Sequence, residues 1–322
     1  MPLALNRLLP IAFLFGLAGA AGASPGTEAL LQRMAHTMHT VNYEGLLLHV
    51  QGQGGDSRTM HIFHLYDERH GERERLVSMD GPAREVLQEG DRCTCVWPRA
   101  RLVVTGRTPS WRGRLSAERF GETVQLAKFY DFVQNGDARV ANLTCNVVRL
   151  VPKDAYRHGY RLCIHEPSAM LLRLEVLDGD RRLEMSQFAS LRIVPEMGEE
   201  VMRLSTDIQG FRVVEEPAEG EPFEPRWTAT TLPPGYALRN AAERRSPHNG
   251  KVLEHLIYSD GLGNVSVFIE RQSEQAPPEQ ALSGAMHRVT RDADGFRLTA
   301  IGEAPEAAMR MILDGLRPVA VP

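Results

Sequence analysis

The 322-residue chain is short of several things, and each shortage excludes something. It lacks an excess of one charge: the net charge is only −4, so no basic footprint for nucleic acid is present. Beyond its first 23 residues it lacks any apolar run approaching the ~20 residues a spanning helix needs. It has four cysteines, Cys93, Cys95, Cys145 and Cys163, and none sits in the C-x-x-C or Cys/His spacing of a metal site. It has no G-x-S-x-G, no H-E-x-x-H, no Walker loop and no G-x-G-x-x-G. No carboxylates fall in a spacing that reads as an acid/base pair, and no internal repeat is visible. The reading is of a protein that is not an enzyme, with no catalytic residue, metal or cofactor to assign.

What is present starts at the N-terminus. Arg7 precedes an apolar run from Leu8 to Ala20, which ends in the small triplet Ala21-Gly22-Ala23. Residues 1–23 therefore read as a cleaved secretory signal peptide with the cut before Ser24. The rival reading, a retained membrane anchor, suffers from the shortness of the run. No Cys follows the cut, which argues against a lipid-anchored N-terminus. Export makes disulfides possible. Cys145 and Cys163 lie on two strands joined around Asp154, and counting back from that turn sets them nearly opposite, within disulfide reach. A bond and a pair of buried thiols both remain open there. Cys93-Thr94-Cys95 places two thiols on one face of a strand.

The composition, 43% hydrophobic and 24% charged, is that of a globular protein, and the length suggests two domains. Residues 26–41 have helical spacing, with Leu30, Met34, Met38 and Val41 on one face. Strands bounded by Gly and Asp turns follow. His61 and His64 are an odd number apart, so a strand turns them to opposite faces. The interval Thr108–Asn135 breaks the pattern and reads as a loop with one or two short helices covering the sheet. In "LRLEVLD", Leu172, Leu174 and Val176 alternate with Arg173 and Glu175, which predicts one buried and one solvated face. The stretch 213–226, rich in Pro, Gly and Glu, is the expected linker. It divides a first domain, 24–212, from a second, 227–322. The second holds the hairpin "HLIYSDGLGNVSVFIE", another hairpin turning at Asp294-Gly295, and a helix begun near Pro305 and ended by Gly315 and Pro318. The fold class is α+β, mainly β. Asp260-Gly261 and Gly263-Asn264 read as turn formers, since nothing supplies Ser259 and Asp260 with a base or an oxyanion site.

Several stretches together resemble the MucB/RseB family of periplasmic regulators. In the first domain these are "NYEGLLLHV" and the set His64, Gly71, Glu74-Arg75-Leu76, Asp80-Gly81 and Arg84-Glu85-Val86. In the second they are "WTATTLPPGYAL" from Trp227 to Leu238, then Arg244-Arg245-Ser246 and the hairpin. The resemblance spans almost the whole mature chain. It implies an unclosed half-barrel antiparallel sheet with covering helices, similar to LolA and LolB, followed by a smaller antiparallel sheet with one helix. It implies a periplasmic location and a partner, the periplasmic segment of a transmembrane anti-sigma factor of the RseA/MucA type. That segment would be shielded from site-1 proteolysis until lipid or lipopolysaccharide fragments release it. Cys93 departs from the family pattern. A homo-oligomer is left open, and a free lipid or lipoprotein carrier is the alternative function.

Apolar residues on the first sheet and its covering interval are the candidates for a lipid pocket: Leu46, Leu48, Ile62, Phe120, Phe129, Tyr130, Phe132 and Leu174. The partner surface is expected on the second domain at Arg244, Arg245, Tyr258, Asp260, Leu262 and Phe268, because Arg and aromatics favour interface cores. Simple core packing is the competing explanation for both sets.

Overall fold

The computed structural model describes residues 25–52, 57–106, 117–215, 223–245, 250–272 and 282–319. The expected signal peptide and the middle of the expected linker, 216–222, lie outside the described residues. No helix among the described residues is long and apolar enough to cross a membrane.

The first unit opens with α1 (Pro25–Thr40) and continues through β1 (Tyr43–Gln51), β2 (Ser57–Asp67), β3 (Gly71–Ser78), β4 (Glu85–Glu89), β5 (Arg92–Trp97) and β6 (Leu102–Gly106). After a 3-10 turn at Ala117–Phe120 and the single turn α2 (Thr123–Leu126) come β7 (Tyr130–Val140), β8 (Leu143–Pro152), β9 (Gly159–His165), β10 (Leu171–Asp178), β11 (Arg181–Ile193) and β12 (Arg212–Glu215). They form one unclosed sheet in the order β12-β6-β5-β4-β3-β2-β1-β11-β10-β9-β8-β7. Two antiparallel meanders, β1 to β6 and β7 to β11, are joined where β1 pairs with β11. Only β12 runs parallel to its neighbour, β6. Residues 213–215, the start of the expected linker, are thus part of this sheet.

Helix α1 lies over one face because Thr27, Leu31, Met34 and Met38 recur at helical spacing and are all buried. Leu31 takes the inward place expected of Leu30. Each of the three large apolar side chains, fully buried, stabilises by ~1.5–3 kcal/mol. Tyr130 and Phe132, expected in a covering helical interval, lie instead on the edge strand β7. The mixed spacing of "AKFYDFV" hid a strand start behind a one-turn helix.

On the opposite face the chain crosses back between β11 and β12. Met197, Val201, Met202 and Leu204 pack there on Phe63, Leu65 and Leu87. Arg73 donates to Glu199 at 2.6 and 2.9 Å, and Arg75 donates to Glu85 at 2.6 Å and to the Val201 carbonyl at 2.9 Å. On β10 the expected solvated face is not open. Glu175 is 3% exposed, roofed by Arg161 at 2.7 Å with Arg182 at 3.7 Å and Arg173 at 4.0 Å. Cys145 and Cys163 are bonded, their Cα atoms 5.4 Å apart. They are diagonal neighbours: Cys163 stands opposite Val147, and Cys145 opposite His165.

The second unit has a two-stranded ribbon of β13 (Trp227–Ala229) and β19 (Leu316–Pro318). Its main sheet holds β14 (Ala237–Arg245), β15 (Val252–Ser259), β16 (Asn264–Arg271), β17 (His287–Ala293) and β18 (Phe296–Gly302) in the order β14-β15-β16-β18-β17. Val265, Val267 and Ile269 alternate inward from β16. With Leu256, Tyr258, Leu298 and Ala300 they meet Ala308, Met309, Ile312 and Leu313 of α3 (Glu306–Gly315).

Candidate functional site

The pocket candidates divide by face. Ile62, Phe120, Tyr130, Phe132 and Leu174 are buried together in the first core, with Phe129 partly buried against them. Leu46 and Leu48 are a correction. Residues paired across a strand ladder share a face, and Ile62 pairs with Gly45 while Leu46 pairs with His61 and Leu48 with Thr59. Leu47 is the one that turns into the core, at 5% exposure. A run of three leucines shows no alternation, so period alone could not choose among them, and β1 carries a register shift between Leu46 and Leu47 against β11. Under the end of α1 the same face holds a polar group that sequence reasoning missed. Glu72 lies between His39 at 2.8 Å and the buried His64 at 3.1 Å, and His64 stacks on Tyr43 at 4.8 Å. His61 and His64 do face opposite ways: His61 packs against Phe63 on the other face, the rings 4.1 Å apart and tilted by 37°.

The partner candidates also divide, and the hairpin turn decides how. Tyr258 is 1% exposed and belongs to the second core. Asp260 and Leu262 stand at the tip of the β15–β16 turn, and the tip is inserted into the first unit. Leu262 is 3% exposed and packs in the first core, and its carbonyl accepts from Arg119 at 3.1 Å. Asp260 accepts the amides of Leu262 and Gly263 at 3.0 and 2.8 Å, which folds the turn. Its other oxygen accepts from Arg157 at 3.1 Å, and each side chain of that pair is 1% exposed. These three residues therefore serve internal packing and the seam between the two units.

Arg157, in the β8–β9 connection, organises that seam. Its Nε donates to Asp154 at 2.9 Å, its Nη2 to the Pro234 carbonyl at 2.5 Å, and its guanidinium lies 4.4 Å from the Phe129 ring centre. The Tyr236 hydroxyl donates to the Tyr156 carbonyl at 3.1 Å. Gly235 has φ +84°, and a Cβ there would lie 2.6 Å from the Phe129 ring, so only glycine lets this loop close on the first unit. Burial pushes the Asp260 carboxyl above the ordinary carboxylate range, against the pull of the Gly263 amide and of Arg157. Nothing local marked Arg157: it lies in an irregular loop and its partner is 103 residues away.

A second contact completes the seam. The Ala285 amide donates to the buried Glu184 at 2.7 Å, and His158, 5% exposed, stacks on His287 at 5.7 Å. Burial, then the neighbouring His287, brings His158 down to about 4, with Asp178, Glu303 and a bond to the Ala285 backbone pulling the other way. Near pH 7 the imidazole is neutral folded and unfolded. Below about 6.5 the unfolded chain takes up a proton that the folded chain refuses until about pH 4. We expect stability to fall through that window by about 1.4 kcal/mol per pH unit from this group. Urea midpoints at pH 7, 6 and 5 check it. His158→Gln should flatten the dependence, and an equal slope in the variant would refute the assignment.

Arg244, Arg245 and Phe268 remain reachable. Arg245 is exposed on β14, at the edge of the second sheet. Phe268 is half-buried beneath His255, the rings 4.4 Å apart. By ladder parity Arg244, His255 and Phe268 share the face turned away from α3.

The two units match two sequence families in turn. The MucB/RseB N-terminal domain matches residues 26–206, and the MucB/RseB C-terminal domain matches residues 221–317. The chain belongs to the MucB/RseB family. The sigma-E factor regulatory protein RseB of Escherichia coli (strain K12) is 26% identical over 300 residues, 92% of each chain. The sigma factor AlgU regulatory protein MucB of Pseudomonas aeruginosa is 27% identical over 318 residues, 94% of this chain and 96% of that one. The crystal structure of MucB in complex with MucA(peri) aligns with a TM-score of 0.73 at 24% identity, over 92% of this chain and 100% of that chain. MucB alone aligns with a TM-score of 0.66 at 23% identity, over 92% of this chain and 99% of that one. The MucB/RseB fold is thus shared across both units.

Proposed function

We propose that this MucB/RseB chain is a periplasmic regulator. It binds the periplasmic segment of a transmembrane anti-sigma factor of the RseA/MucA type and keeps site-1 protease from it. Lipid or lipopolysaccharide-type ligands release it. The observation that carries the reading is the family match over both units, 26–206 and 221–317. The partner meets the face of the second sheet turned away from α3, at Arg244, His255 and Phe268, because Tyr258, Asp260 and Leu262 are already committed inside the molecule. Ligand acts at the helix-covered face of the first sheet, and the seam at Arg157 carries the effect to the second unit. A ligand shifts such an equilibrium only through its differential affinity for the two arrangements, so partner and ligand must weaken each other equally. The carrier alternative has less support, since the family match runs on through a second unit, 221–317, that a simple carrier does not need.

Calorimetric titration of the mature chain with the periplasmic segment of a candidate anti-sigma factor, with and without lipid, tests the proposal. Binding is expected without lipid and should weaken with it. No binding in either condition sinks the reading. Affinity indifferent to lipid removes the release step. Unchanged affinity in Phe268→Ala and Arg244→Ala moves the partner to another surface.

A further inference from the structure

Arginine gathers on one side of the first sheet, in a chain whose net charge is −4. Ladder pairing sets Arg149 of β8 opposite Arg161 of β9, Arg161 opposite Glu175 of β10, and Glu175 opposite Met185 of β11. Residues paired in this way share a face. Arg173 is two residues before Glu175 and stands on that face too, opposite Gln187, which in turn stands opposite Leu48 of β1. Arg182 reaches the group from the start of β11, 3.7 Å from Glu175. The face is the one turned away from α1, since Leu174, between Arg173 and Glu175, lies in the first core with Leu31 and Met34.

The charges there do not balance. Four guanidiniums meet two carboxylates, Glu175 and Asp180, and Asp180 is taken by Arg149 at 2.9 Å. Neighbouring charges cancel in pairs, Arg181 with Asp178 and Arg192 with Glu44. Glu175 already accepts from Arg161 at 2.7 Å, and one carboxylate cannot neutralise three guanidiniums. Arg173 is the least satisfied. Its ion pair to Glu175 is 4.0 Å long, beyond hydrogen-bond reach, and its Nε is buried without a partner among the described residues. The Arg149 Nε is in the same position. Yet the Arg173 and Arg182 side chains are 27% and 44% exposed, while that of Glu175 is 4% exposed. The cations thus reach solvent above a shielded carboxylate, with two positive charges left over.

We propose that this face of β8 to β11 binds the anionic phosphate surface of a phospholipid bilayer. The planar fork of arginine meets phosphate oxygens two at a time. Four strands spaced by about 4.8 Å spread the guanidiniums over about 14 Å. That is wider than one phosphate ion, and a bilayer offers phosphates across the whole width without needing a register. Leu48 and Met185, half-buried on the same face, add the apolar surface that an interfacial contact takes up. Seated in this way, the chain turns its α1-covered face away from the bilayer. The inference does not rest on the anti-sigma partner, because it uses no residue of the second unit and the opposite face from the ligand site proposed above.

The test is co-sedimentation of the mature chain with vesicles of phosphatidylcholine, with and without phosphatidylglycerol at about one lipid in three. Binding is expected only to the anionic vesicles, and it should be lost at about 0.5 M salt, where screening cuts the attraction. Each arginine near an anionic surface is worth about fivefold in affinity, so Arg173→Gln combined with Arg182→Gln should weaken binding about 25-fold. Arg161 stays on Glu175 in that variant, so the urea midpoint and the affinity for an anti-sigma segment should not move. Arg310→Gln, on the exposed side of α3, is the control and should bind as the wild type does. No sedimentation with anionic vesicles, equal binding to phosphatidylcholine alone, or unchanged binding in the double variant overturns the proposal. Equal loss in Arg310→Gln overturns the assignment to this face. Displacement by inorganic phosphate at millimolar concentration would mean a discrete anion site, and displacement by an oligoglutamate peptide an acidic protein partner; either overturns the bilayer as occupant.

Discussion

Arg157→Ala is expected to destabilise the chain by about 3–5 kcal/mol and to split its unfolding into two transitions. The reason is the position of the charge it leaves. Asp260 has a side chain 1% exposed and no second cation within ion-pair distance among the described residues. Removing Arg157 also frees the Pro234 carbonyl and strips the cation from the Phe129 ring. Buried pairs are costly to break and much less costly to replace whole. Arg157→Met combined with Asp260→Asn should therefore cost less than the sum of the two single changes, since Asn still accepts the Leu262 and Gly263 amides. Urea denaturation followed by tryptophan fluorescence and far-UV circular dichroism measures both effects. A single coincident transition, shifted by under about 1 kcal/mol, would mean that Arg157 does not couple the units. The same variant bears on regulation: if the seam carries the ligand's effect, Arg157→Ala should uncouple lipid from partner affinity while leaving partner binding in place.

Glu85→Gln comes next in size. Glu85, 1% exposed on β4, accepts Arg75 at 2.6 Å, the Ser205 amide at 2.9 Å, the Ser205 hydroxyl at 3.1 Å and the Thr206 amide at 3.2 Å. Burial alone would raise its pKa. The Ser205 amide and Arg75 outweigh burial, and the group ends below the ordinary glutamate value of 4.5. Its stabilisation is therefore present above pH 4.5 and is lost as pH falls through the lowered folded value. Gln turns one acceptor into a donor among donors and leaves Arg75 uncompensated, at a cost of about 3 kcal/mol. The crossing segment that packs Met202 over Leu65 and Leu87 should then loosen. Limited proteolysis reads this as new cleavage between residues 196 and 210, with the second unit unaffected. An unchanged cleavage pattern together with an unchanged urea midpoint would show that Glu85 does not hold the crossing.

Much of the architecture was legible along the chain, and the reason is period. The alternation of Val265, Val267 and Ile269, the helix ended by Gly315, the Asp294-Gly295 turn and the strand pattern between Tyr43 and Gly106 are all written within ten residues of themselves. The errors fall where the local pattern is degenerate. "LLL" at 46–48 has no polar residue to mark a face. "AKFYDFV" joins a helical turn to a strand without a breaker. Glu175 looked like a solvated residue, and only arginines from the two neighbouring strands reveal it as buried.

The hairpin "HLIYSDGLGNVSVFIE" shows where local reading stops. Its strands, its buried face and its turn chemistry follow from the sequence alone, because alternation and Asp-Gly turns are short-range physics. Where the turn goes was decided by tertiary structure. Asp260 meets Arg157 across 103 residues, and Leu262 enters the core of a unit to which it does not belong by sequence. Pairing of a single buried charge over that distance leaves no periodic trace. It exists only once two independently patterned sheets have folded and each has closed on the other's unpaired group.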